Sequence, residues 1–213
     1  MFDGLVDRAV GLVPASGRVV LGITGAPGSG KSTLGEHLAA AVAARGFPVV
    51  RVPMDGFHLA DDELVRLGRR GRKGAIDTFD ADGYAALLRR VRSETERTVY
   101  APDFDRTIEQ PIAGSIPVLP EARLVITEGN YLLAPSWAHV RESLDEVWLC
   151  SVPDDVRRRR LVERHVRFGK APDEARAWVA GVDEPNAATI GTWRQAADLV
   201  VDVLALGLPP GRD

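Results

Sequence analysis

Residues 2–13 set Phe2, Leu5, Val6, Ala9, Val10 and Val13 at three- and four-residue intervals, the spacing of one helix face, and Pro14 blocks continuation. From 18 to 24 that period vanishes. Val19, Val20, Leu21 and Ile23 make a nearly unbroken apolar run between Gly17 and Gly25, which predicts a strand buried on both faces. Residues 32–45, rich in alanine and leucine, predict a helix that Gly46 ends. Residues 48–53, 123–127 and 146–152 predict further strands, the last followed by a helix of about five turns, and 197–202 predict a fifth. Between them, 59–120 is polar and proline-rich around one helix at 80–92, and reads as mobile loop structure on the substrate side. Strands alternating with helices predict an α/β fold, a doubly wound, mostly parallel five-stranded sheet with helices on both faces. The whole of 1–213 is expected to form one domain, with a substrate-side insertion at about 56–120 and a lid at about 157–181.

The turn between the first strand and its helix reads Gly25, Ala26, Pro27, Gly28, Ser29, Gly30, Lys31, Ser32, and Thr33 follows. It satisfies G-x-x-x-x-G-K-[ST] in the strand–turn–helix setting that a P-loop requires. Glycines at 25, 28 and 30 let successive backbone N–H groups point inward around a phosphate, and the helix beginning near Lys31 aims its positive end there. Lys31 is expected at the β- and γ-phosphates. Ser32 supplies a hydroxyl for Mg²⁺, with Thr33 beside it.

Composition narrows the class. Hydrophobic residues at 45% and charged residues at 27% describe an ordinary globular chain, and a net charge of −3 gives no global attraction to nucleic acid or anionic lipid. No nucleic-acid or membrane partner is expected. Cys150 is the only cysteine, so no internal disulfide forms, and Asp3 and Asp7 stand where a signal peptide needs positive charge. With no apolar run of transmembrane length, a cytoplasmic protein is expected. Of 27 basic residues only three are lysines, Lys31, Lys73 and Lys170, so each lysine is more informative than each arginine. None of them lies in an N/T-K-x-D guanine-reading motif, and the serine-glycine-glycine signature of transporter-type ATPases is absent. A small-molecule kinase is the leading reading. The alternatives are a nucleotide-gated regulatory or binding ATPase without a phosphoacceptor and, weakest, nucleic-acid binding through the arginine-rich segments.

Asp55 follows the second strand at its carboxyl end, where α/β sheets place ligands and where a base or a metal-shell ligand could stand beside the γ-phosphate. Glu128, ending the third strand, would face the P-loop and hold Mg²⁺ directly or through water. Arg157, Arg160, Arg164 and Arg167 fall at i, i+3, i+7 and i+10 on one helix, a stripe suited to neutralising charge on a transferred phosphoryl group. Arg164 and Arg167 are the catalytic candidates in it, and Arg158 and Arg159 suit a solvated face. His58, Asp105, Arg106 and Glu109 offer directional hydrogen bonds to an acceptor. His37, His139 and His165 lack metal-ligand spacing and are assigned structural or surface roles.

In order and spacing, several elements resemble those of the superfamily of uridine kinase, bacterial type I pantothenate kinase and phosphoribulokinase. They are Met54 to His58 after the second strand, Thr127, Glu128 and Gly129 at the third, the arginine-rich run from Arg160 to Arg167, and Ala197 to Val201 in the last strand. Arg72 to Phe79, Phe104 to Glu109 and Asp183 to Asn186 resemble a narrower branch, the pantothenate-kinase-like proteins that include fructose-transport-associated kinases. The resemblance implies ATP with Mg²⁺, a small phosphoacceptor (nucleoside, sugar or pantothenate-like), Asp55 as base and Asn186 beside the adenine, and it leaves a homodimer open. His58 stands where uridine kinase has a tyrosine.

Overall fold

The first apolar run becomes β1 (Val19–Thr24), buried at every position, in the middle of a parallel sheet. A computed structural model describes residues 1–209. Around β1 the chain forms α1 (Phe2–Leu12), α2 (Lys31–Ala44), β2 (Val49–Pro53), α3 (Asp61–Arg66), α4 (Ala81–Ser93), β3 (Val99–Asp105), β4 (Gln110–Val118) and β5 (Leu124–Gly129). It continues through α5 (Ala138–Arg141), β6 (Glu146–Ser151), α6 (Asp154–Arg167), α7 (Pro172–Trp178), α8 (Glu184–Gly191) and β7 (Leu199–Asp202).

The five-stranded sheet runs β2-β5-β1-β6-β7, all pairings parallel. Side-chain alternation along β1 divides the core. Val19, Leu21 and Ile23 join Val6 and Ala9 of α1 and Leu34, Leu38 and Val42 of α2, while Val20 joins Tyr84, Leu88 and Val91 of α4 with Trp137 and Val140. Leu34 and Leu38 are fully buried, so α2 is anchored along its length; truncating either to alanine costs about 2–5 kcal/mol. Because the chain leaves β1 first toward β2 and β5 and later toward β6 and β7, the carboxyl end of β1 is the switch point where such sheets open a ligand crevice.

Two expectations change. Residues 94–120 are largely an antiparallel ribbon of β3 and β4 with a register shift between Ala101 and Asp103, not a loop. Pro102, Pro111 and Pro117 mask it in the sequence, since proline argues against a strand unless, as in a two-stranded ribbon, edges are available. Helix α6, expected as the lid, has 14 residues, about four turns rather than five, and Gly169, whose φ is 97°, stands two residues beyond its end. A π-helical turn, Val179–Asp183, then joins α7 to α8.

Candidate active site

Gly28 and Gly30 adopt φ of 77° and 89°, conformations that side chains disfavour. A Cβ on Gly28 would also lie 2.9 Å from the Arg157 carbonyl oxygen and the Leu161 Cγ, so the loop sits directly on α6. Lys31 is buried, its Nζ donating to the Ala26 carbonyl at 3.4 Å, and burial lowers its pKa against the opposing charges of Glu128 and Asp55. Ala26 and Ser29 face the rear of the loop with Cys150, and the buried Ser29 Oγ has no hydrogen-bond partner. Only the backbone of those two residues is therefore offered to an anion.

Strand register brings the acids together. Pro53 pairs with Glu128, so Asp55, two residues beyond, emerges at the same sheet edge. Gly56 lets the Asp55 turn pack against β3, since a Cβ there would lie 2.5 Å from the Pro102 carbonyl oxygen. Glu128 accepts from the Ser32 Oγ at 3.1 Å. Its pKa is raised, first by burial and then by the charge of Asp55. For Asp55, burial pushes the same way, but His58 in its protonated form together with the charges of Arg106, Lys31 and Arg164 holds it below the usual carboxylate value. Among the described residues no three His, Cys, Asp or Glu side chains form a metal cage. A serine hydroxyl and one or two carboxylates beside a phosphate site are the partial donor set Mg²⁺ accepts, and the residues present fit it.

Two cavities meet here. One, ≈ 560 Å³, is lined by Gly28, Gly30, Thr33, Arg160, Arg167 and the segment after β7 from Val203 to Pro209. The other, ≈ 230 Å³, is lined by Pro27, Asp55, His58, Arg106, Glu109 and Glu128 from one side and by residues of the α6 to π-turn segment from the other. Lys31, Ser32 and Arg164 line both.

His58 donates from Nδ1 to the Asp55 carbonyl at 2.8 Å, leaving Nε2 as an acceptor; burial lowers its pKa and keeps the ring neutral at pH 7. Arg106 pairs with Asp55 at 3.3 Å. Asp105 does not line the cavity. It accepts from the backbone N–H of Thr107 at 2.8 Å and shapes the β3–β4 turn instead. Asn186 lies half-buried on α8 and lines neither cavity; the 203–209 segment flanks the larger one. Arg157 leaves the expected stripe as well. It is 2% exposed, donates to Glu184 and to the Pro27 carbonyl, and props the P-loop from beneath. Arg158 shares that Glu184, so it is not a purely solvated residue. Sequence reasoning set aside His165, which lines the smaller cavity and meets Asp183 of the π turn at 2.9 Å. It also left Arg70, Lys73 and Lys170 without a role, although the scarcity of lysine marked the last two.

Over 184 residues the chain is 41% identical to a Schizosaccharomyces pombe protein provisionally named uridine kinase, covering 83% of this chain and 78% of that one. It matches a crystal structure from Silicibacter sp. TM1040, provisionally described as a fructose transport system kinase, with TM-score 0.87 and 40% identity over 94% of this chain and 98% of that one. The chain is a P-loop kinase of the uridine kinase and pantothenate kinase superfamily. A pantothenate kinase of Leifsonia xyli is 29% identical to the kinase over 143 residues, covering 66% of this chain and 44% of that one. The family model described as methylmalonyl Co-A mutase-associated GTPase MeaB matches residues 7–57, a stretch confined to α1 through the Asp55 turn. No helix among the described residues is long and apolar enough to cross a membrane.

Proposed function

We propose that the kinase transfers the γ-phosphoryl group of MgATP to a hydroxyl of a small metabolite held in the smaller cavity. The observation that carries this is the meeting of two cavities at Lys31, Ser32 and Arg164. A nucleotide-gated switch needs only the larger cavity, whereas a second one bearing a carboxylate suits an acceptor. In this reading the P-loop N–H groups and Lys31 hold the phosphates, and Arg164 and Arg167 approach them from α6. Mg²⁺, when bound, neutralises phosphate charge, and Ser32, Glu128 and Asp55 are the oxygen donors available to it. The acceptor oxygen bonds to the γ-phosphorus, the bond to the β–γ bridging oxygen breaks, ADP leaves, and the hydroxyl proton passes to Asp55. His58, Arg106 and Glu109 orient the acceptor. Catalysis then consists of positioning and charge stabilisation, with no covalent enzyme intermediate.

The test is an ADP-release screen of hydroxylated metabolites against background ATP hydrolysis, repeated without Mg²⁺ and with Lys31→Ala. Acceptor-stimulated release that both controls abolish supports the reading. Steady hydrolysis that no acceptor stimulates would instead favour a regulatory ATPase.

A further inference from the structure

We propose that the phosphoacceptor is a hydroxylated anion, its carboxylate or phosphate group recognised by Arg70, Lys73 and Arg106. This rests on the kinase reading above and adds the acceptor's charge class. All three lysines of a chain that otherwise uses arginine line this one cavity. Lys31 belongs to the nucleotide, which leaves Lys73 and Lys170 to be explained.

Arg70 and Lys73 come from the segment before α4, and Arg106 from the β3–β4 turn. Separate segments thus converge on the Phe104 ring, with the Lys73 Nζ 5.4 Å and the Arg106 guanidinium 5.9 Å from its centroid. Arg70 and Lys73 have one acidic partner between them. Asp61, which does not line the cavity, is shared by Arg70 at 2.8 Å and Lys73 at 2.7 Å. Arg106 meets Asp55, the carboxylate that the transfer step uses. The Lys73 side chain is only 8% exposed, and burying an ammonium is costly unless it is fully paired. Glu109 adopts a left-handed φ of 55°, rare for a residue other than glycine, and its carbonyl accepts from Lys73.

Among the described residues no carboxylate that lines the cavity pairs with Arg70 or Lys73. Asp183 is held by His165, Glu128 accepts from Ser32, and the Glu109 side chain is exposed. A neutral sugar or nucleoside would leave one of the two positive charges that share Asp61 uncompensated. A carboxylate or phosphate completes it, and a guanidinium beside an ammonium offers both forked and point-charge donors to such a group. Phe104 and Phe79 supply apolar surface for the carbon skeleton.

The experiment uses the full chain with Mg²⁺ and a non-hydrolysable ATP analogue. Calorimetry measures binding of three probe sets: neutral polyols, sugars and nucleosides (glycerol, glucose, uridine), hydroxy acids (glycerate, gluconate, pantothenate), and sugar phosphates (glycerol 3-phosphate, fructose 6-phosphate). Turnover by ADP release is measured in parallel with ATP. Binding is expected only within the second or third set, which separates carboxylate from phosphate as the source. The neutral counterpart of the tightest probe should bind at least 100-fold more weakly. With that probe, Lys73→Met and Arg106→Ala should raise KM at least tenfold with a smaller change in kcat, and Lys73→Arg should recover part of the loss. A neutral probe that binds and turns over as well as any acid overturns the inference and leaves the kinase reading standing. Failure of every anionic probe to bind also overturns it. An anion that binds without accelerating ADP release counts against the kinase reading alone. The wild-type comparison of charged and neutral probes decides the matter even if a variant does not fold.

Discussion

Replacing Asp55 by asparagine keeps the size of the side chain and removes its charge. Removing a general base costs about 100- to 10,000-fold, or about 3–5 kcal/mol of transition-state stabilisation. The surroundings favour the lower end. His58 in its protonated form, with the charges of Arg106, Lys31 and Arg164, holds the Asp55 carboxyl below its ordinary value, so at neutral pH it is a weaker base than one tuned near 7. A loose phosphoryl-transfer transition state also asks for little early proton movement. We expect kcat to fall about 100-fold, with the ATP dissociation constant changed by less than about threefold. The assay pairs acceptor-stimulated ADP release at saturating ATP with calorimetric binding of MgATP to wild type and Asp55→Asn. A normal kcat with collapsed nucleotide or Mg²⁺ binding would refute the base assignment and leave Asp55 as a metal-shell ligand alone. The base would then be sought at His58, whose Nε2 is an unprotonated acceptor in the neutral ring.

Arg164→Ala should lower kcat more than ATP affinity because Arg164 lines both cavities, whereas Arg167→Ala should act mainly on ATP affinity because Arg167 lines only the larger one; equal profiles from steady-state kinetics would contradict this. Glu128→Gln should abolish most activity yet stabilise the ligand-free fold. The Glu128 pKa is raised in the folded state, so its ionisation costs stability above pH 4.5, increasingly as pH rises toward the folded value. Thermal unfolding should accordingly show no gain at pH 4 and a gain at pH 7.5 of about 2–4 °C per kcal/mol; a gain independent of pH would refute the linkage. Gly28→Ala should weaken ATP binding more than tenfold, because it combines left-handed strain of about 1–2 kcal/mol with a collision against α6. Gly17→Ala, at φ 84° with nothing within 4 Å, carries the strain alone and should bind ATP normally.

The phosphate half of the site was legible because its information is local. Gly25 to Thr33 specify a loop conformation and a helix start within nine consecutive positions, and the buried strands on either side announce themselves by composition. The alternation of strands and helices likewise settled the sheet, since parallel strands need crossover helices and bury both faces. Asp55 and Glu128 stood out as candidates because strand ends in such sheets point to the crevice, though only the register of β2 on β5 set them side by side. What the sequence left undecided depends on direction and distance between segments far apart in the chain. Helical spacing put Arg157 in line with Arg160 and Arg164, but packing of α6 beneath the P-loop turned it inward to Glu184. Asp105 looked like a ligand contact until the turn satisfied its carboxylate locally. Lys73 lay inside the Arg72 to Phe79 resemblance without an assigned role, and Lys170 and His165 had no motif to flag their place at the cavity, because a cavity wall is assembled from side chains supplied by elements whose docking the sequence does not state. Local patterns carry backbone conformation and burial, whereas an acceptor site is a product of tertiary packing.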